Sequence, residues 1–140
     1  MRRGDPGDAV TGTGPRRPLG LRVAFLVLDG LPPEVAGPDV TPVLRAWCDD
    51  SGTEPRTVPA VLPASTYPNH ATFVTGAHPP VHGIVGNHVR CDDGRFRAAR
   101  RIGPRVPTIF DAVAAAALTS SVVVGDQDLI GVMGARSASS

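Results

Sequence analysis

Three side chains of this 140-residue chain could do chemistry together: the Thr66 hydroxyl, the Asp29 carboxylate and the Asn87 amide. Thr66 lies in the stretch PASTYPNHATFVTGAHPPVHGIVGN, residues 63–87, just before a helix predicted to start at Pro68. Asp29 closes the apolar run VAFLVLDG. A threonine hydroxyl is a poor nucleophile until a base or a metal ion removes or stabilises its proton. A divalent cation held by Asp29 and touching Thr66 Oγ would lower the hydroxyl pKa and fix its position. The helix start adds backbone N–H groups and the positive end of a dipole, both of which attract phosphate. Asn87 would donate a neutral amide to a phosphoryl oxygen, and a donor aimed at developing charge is worth roughly 3 to 4 kcal/mol of barrier. Taken singly, each residue has a plainer role: Asp-Gly as a turn, Thr66 as a helix cap, Asn87 as a turn residue. Their combination is what points to chemistry.

The elements that must position these groups alternate between strand and helix. Residues 21–28 form a continuous apolar run ended by Asp-Gly, the pattern of a central strand buried on both faces of a parallel sheet. LPPEVAGPDV is a loop with four Gly and Pro residues. Thr41-Pro42 opens a short helix with Val43, Leu44 and Trp47 on one face. Residues 57–62 are a second strand candidate, and the Thr66-Tyr67-Pro68 helix runs to about Thr75 and stops at Gly76. HPPVHGIVGN is a loop; residues 89–98 are predicted to form a hairpin turning at Asp92-Asp93-Gly94. Residues 107–118 are a helix capped near Pro107-Thr108, and residues 121–124 are a strand ending at Gly125-Asp126. The order predicts an α/β fold with a doubly wound, mostly parallel sheet and helices on both faces. Ligands on such sheets bind beyond the carboxyl ends of strands, where Asp29 and Thr66 would both face one crevice.

Composition narrows the partners. The net charge of +1 gives no field that would recruit a strongly charged macromolecule. Every basic residue is Arg, which excludes a lysine phosphate site or Schiff base. The arginines from Arg90 to Arg105 are interrupted by Asp92 and Asp93 and carry few aromatics, so they are read as a solvated hairpin and no nucleic-acid polymer is expected. Cys48 and Cys91 form no CxxC pair and are read as reduced thiols. No apolar segment follows the Arg-rich start, and the run 23–28 is too short to span a bilayer, so a cytoplasmic location without a membrane is expected. Residues 1 to about 19 are read as a disordered tail, 20–136 as one domain, and 137–140 as a frayed end.

The combination resembles the alkaline phosphatase superfamily, in particular its type I phosphodiesterase/nucleotide pyrophosphatase branch, from about Arg22 to Met133. VAFLVLDGLPPEV looks like the family's opening strand and metal-binding Asp-Gly, and VTPVLRAW like its TPxL helix. PASTYPNHATFVTGAHPPVHGIVGN is similar to the nucleophile segment almost throughout, and TIFDAVAAAALTSSVVVGD looks like the helix and strand packing behind the site. The resemblance implies that Thr66 becomes transiently phosphorylated. It also implies that Asp29 is a ligand of a metal that contacts Thr66, and that Asn87 binds a phosphoryl oxygen. Two divalent ions, zinc by family habit, and a small phosphodiester or nucleotide substrate are implied with them. The family does not use the positions of His70, His78, His82 and His88 as ligands. His70 is therefore expected to hydrogen-bond within the fold and His82 to order its loop. Asp126 and Asp128 receive no role.

The family needs further ligands, among them an Asp-His pair, and this chain has none. The expectation is a truncated chain, or one completed by another chain, lacking later strands and marginal in stability. Two rival readings stand beside the phosphodiesterase: a phosphonoacetate hydrolase-like enzyme of the same superfamily, with a similar VTGAHPPVHGI loop, and a non-catalytic remnant. The sequence leaves the oligomeric state open.

Overall fold

The computed structural model describes residue 20, residues 22–35 and residues 37–137. The expected tail, residues 1–19, and most of the expected frayed end, residues 138–140, lie outside the described residues. The chain divides into two units, Met1–Gly30 and Leu31–Ser140.

In the first unit, residues 22–28 stand exposed without a ladder and end in a turn at Asp29-Gly30; Val23 is 89% exposed and Phe25 70%. The central strand predicted here is not formed. A parallel strand takes its hydrogen bonds from neighbours distant in sequence and its burial from covering helices. The described residues contain one sheet of two antiparallel strands, so the doubly wound sheet is not seen among them.

In the second unit, a single helical turn at Pro33–Val35 leads to α1 (Pro42–Ser51). Pro42 takes the first helical position, as predicted, but the Thr41 hydroxyl does not cap; it donates back to the Gly37 carbonyl at 3.1 Å. No residue of α1 is buried. Residues 53–61 have no regular structure and are mostly exposed, so the strand predicted at 57–62 is absent as well. One peptide group there finds a partner in the next helix: the Val61 N–H donates to Asn69 Oδ1 at 3.2 Å.

Helix α2 (Thr66–Thr75) is followed by the one-turn α3 (Pro79–His82), which the loop prediction missed. Gly83 ends α3 with φ +79, a left-handed backbone that side chains disfavour. The hairpin of β1 (His88–Arg90) and β2 (Phe96–Ala98) turns where predicted, with Val89 opposite Arg97. The Arg97 guanidinium pairs with Asp93 across the turn at 2.5 Å. Helices α4 (Ala99–Ile102), α5 (Ile109–Ala115) and α6 (Asp128–Val132) complete the unit. Helix α5 opens on a reciprocal cap: the Asp111 N–H donates to Thr108 Oγ1, and the Thr108 N–H donates to Asp111 at 2.7 Å. It ends short of the predicted Leu118 because Ala117 adopts φ +55, the conformation usually left to glycine. Residues 121–124 contribute only an isolated bridge at Ser121, although their burial alternates as a strand's would, with Val122 and Val124 packed on the core.

The core is built by residues 71–135: Ala71 and Val74 of α2, Ile84, Val89, Ala99, Phe110, and Leu129, Val132, Met133 and Ala135. Helix α2 faces it with Tyr67, His70, Ala71 and Val74, the spacing of one helical stripe. Gly131 lets α6 approach α4 closely; a Cβ there would lie 2.0 Å from the Arg100 carbonyl oxygen.

Candidate active site

Thr66 is the first residue of α2 and is half-buried. The preceding Ser65 is extended, at φ −137° and ψ 165°, so the chain enters the helix at Thr66 rather than at the predicted Pro68. Pro68 sits in the first turn, where its missing N–H leaves no intrahelical bond unmade. As the start of a ten-residue helix, this first turn carries the positive end of the helix dipole. One turn on, His70 Nδ1–H donates to the Thr66 carbonyl at 2.8 Å. That bond and the burial of the ring give His70 the role inside the fold that the sequence predicts.

His82 is fully buried and fixes the loop behind α2. Its Nδ1 accepts the Ile84 N–H at 3.1 Å, so the ring proton resides on Nε2, which lies 3.0 Å from Thr72 Oγ1. Burial lowers its pKa below the ordinary value, the nearby His78 adds to that, and a hydrogen bond to the Pro68 carbonyl opposes it. The loop-ordering role expected for His82 is thus present in its bonds. Asn87 is exposed in the bend before β1, and its carbonyl accepts the Ala99 N–H at 2.9 Å, which fixes the backbone beneath the side chain. The arginines at 90, 95, 97, 100, 101 and 105 are all exposed. Cys48 and Cys91 are free thiols.

The structure joins the start of α2 to a group that the sequence left without a role. The Tyr67 hydroxyl donates to Asp126 Oδ2 at 3.1 Å and has Asp128 Oδ2 as a second acceptor at 3.4 Å. Arg100 Nη1 reaches both oxygens of Asp128 at 2.8 Å. Burial of the phenol, followed by the bond to Asp126, pushes the Tyr67 pKa up to about 12, so it stays a donor at neutral pH. The available signal was a Gly-Asp-Gln-Asp run after an apolar segment, together with the chain's sole tyrosine beside Thr66.

Asp29 belongs to the first unit, and Thr66 and Asn87 to the second. Among the described residues no three His, Cys, Asp or Glu side chains cluster closely enough to hold a metal ion. Asp29 and Thr66 offer one carboxylate and one hydroxyl, whereas a zinc ion takes three or four protein ligands. The residues present therefore do not by themselves make a two-metal centre.

A family model described as type I phosphodiesterase/nucleotide pyrophosphatase matches residues 23–124. The chain belongs to that family. Membership in the type I phosphodiesterases implies an alkaline phosphatase-like α/β fold; the described residues form helices and one two-stranded sheet, and the doubly wound sheet is not seen among them. Among curated proteins the chain is similar to an uncharacterized pyrophosphatase/phosphodiesterase of Schizosaccharomyces pombe, 36% identical over 66 residues. The aligned stretch is 47% of this chain and 13% of that relative. No solved structure matches the chain significantly. Among the described residues no helix is long and apolar enough to cross a membrane.

Proposed function

We propose that the chain is the nucleophile-bearing part of a hydrolase of phosphodiester or pyrophosphate bonds. The observation that carries this reading is the family match over residues 23–124, which spans Asp29, Thr66 and Asn87 together. In this reading Thr66 Oγ gives up its proton to solvent and attacks phosphorus, and the bond from phosphorus to the leaving oxygen breaks. The leaving oxygen keeps the electron pair and takes a proton from solvent; water then attacks the phosphothreonine, the bond from phosphorus to Oγ breaks, and Oγ regains a proton as the phosphate leaves. The start of α2 supports the reading because its first-turn amides and dipole favour a phosphoryl group beside Thr66. Asn87 donates its amide to a phosphoryl oxygen. Asp29 offers its carboxylate to a divalent ion, zinc by the family resemblance, and among the described residues no cluster of three His, Cys, Asp or Glu side chains joins it. The substrate class is a small phosphodiester or nucleotide.

The test is Thr66→Ala in a turnover-competent protein that joins this chain to the remaining metal ligands, assayed on an aryl phosphodiester with the metal supplied. Turnover is expected to fall by roughly a thousandfold or more, as for loss of a covalent nucleophile. A phosphothreonine trapped in the unsubstituted protein is expected to vanish with it. Undiminished turnover in the variant overturns the reading.

A further inference from the structure

The hydroxyl of Tyr67 ties residues far apart in sequence, and each of its acceptors is itself tied. Asp126 Oδ2 takes the phenol at 3.1 Å while Asp126 Oδ1 takes the Asp128 N–H at 2.9 Å. Asp128 Oδ2 lies 3.4 Å from the same phenol, and both of its oxygens meet Arg100 Nη1 at 2.8 Å. Arg100 is anchored in turn, because its carbonyl accepts Arg136 Nη2 at 3.0 Å. Neither carboxylate can swing away from Tyr67 without giving up a second partner.

This anchor sits one residue from Thr66, in the first turn of a helix, where α-helices fray. A nucleophile tolerates little fraying, since a misplacement of about 1 Å costs on the order of a hundredfold in rate. We propose that Tyr67 is a positioning residue for Thr66, its hydroxyl pinned by Asp126 and Asp128 so that the first turn of α2 is held against the start of α6. The inference rests on the reading of Thr66 as nucleophile, but the anchor can be measured without turnover.

The chain has a single tyrosine, so the Raman Fermi doublet of its phenol reports Tyr67 alone. In the unsubstituted chain the doublet is expected to have the ratio of a phenol donating to a carboxylate, and with both acceptors removed, in the double variant Asp126→Ala and Asp128→Ala, the ratio of a phenol in water. Amide hydrogen exchange at residues 69 and 70, whose N–H groups bond across the first turn, is expected to quicken about tenfold in both Tyr67→Phe and Asp126→Ala, the worth of one hydrogen bond to a charged acceptor. Exchange at residues 73–75 is expected to change less than at residues 69 and 70, which a uniform loss of stability would not allow. In the turnover-competent protein, Tyr67→Phe is expected to lower kcat about tenfold with KM unchanged. A water-like doublet in the unsubstituted chain, or unchanged exchange in both variants, overturns the proposal. Thr66→Ala separates the two ideas: turnover retained there removes the nucleophile reading, while the Raman and exchange results still decide the anchor.

Discussion

Helices α1 and α2 are each ten residues long, and each ends on a glycine with left-handed backbone. They differ in what they bury. Four residues of α2 are inside, Pro68, His70, Ala71 and Val74, whereas none of α1 is, and Trp47 is 59% exposed. Local signals, a proline near the start and a glycine at the end, set the length of both. Burial came to the one whose apolar stripe meets residues 84–135. A helix therefore follows from its own sequence, while its contribution to the core follows from residues elsewhere.

Truncation of buried and exposed aliphatic side chains should separate the two regions most sharply. Ile84→Ala, at a fully buried site behind α2, is expected to cost about 3 kcal/mol in urea unfolding. Val43→Ala, on the exposed α1, is expected to stay within about 0.5 kcal/mol. A comparable loss at Val43 would break the contrast. Next in size is His82→Phe, expected to cost about 2 kcal/mol because the Ile84 N–H and the Thr72 hydroxyl lose their partner.

The same residue sets a pH dependence. His82 has its folded pKa below the ordinary 6.5, so on acidification the unfolded chain binds more protons than the folded one. Its stabilising effect is complete above that ordinary value and is lost as pH falls toward the lowered one. Chemical denaturation at stepped pH should show this slope, and His82→Phe should flatten it. A smaller effect is expected at the α5 cap, where Thr108→Ala should cost about 1 kcal/mol by thermal melting. The least is expected on α1: Arg45→Ala removes an exposed ion pair with Asp49 and should leave the melting temperature unchanged.

What was legible in the sequence follows the same division. The ends of α2, the Asp92-Asp93-Gly94 turn and the Thr108 cap depend on neighbours a few residues away, and all were placed within a residue or two. The three strands predicted outside the hairpin, at 21–28, 57–62 and 121–124, depend on partners that no local pattern supplies, and among the described residues none of them forms a ladder. Thr66 could be located at a helix start because its motif is contiguous. The Tyr67 bonds to Asp126 and Asp128 span 59 and 61 positions, a pairing that only the folded chain creates.

Arg100 is gripped at two levels by one helix. Gly131 lies against its carbonyl, and Asp128 holds its guanidinium. Those two α6 residues are about one helical turn apart, so they share a face. An inserted or deleted residue between them would rotate the carboxylate by roughly 100° around the helix axis and away from both Arg100 and Tyr67. The short segment 128–131 is therefore a fixed ruler, with a carboxylate required at one end and a glycine at the other.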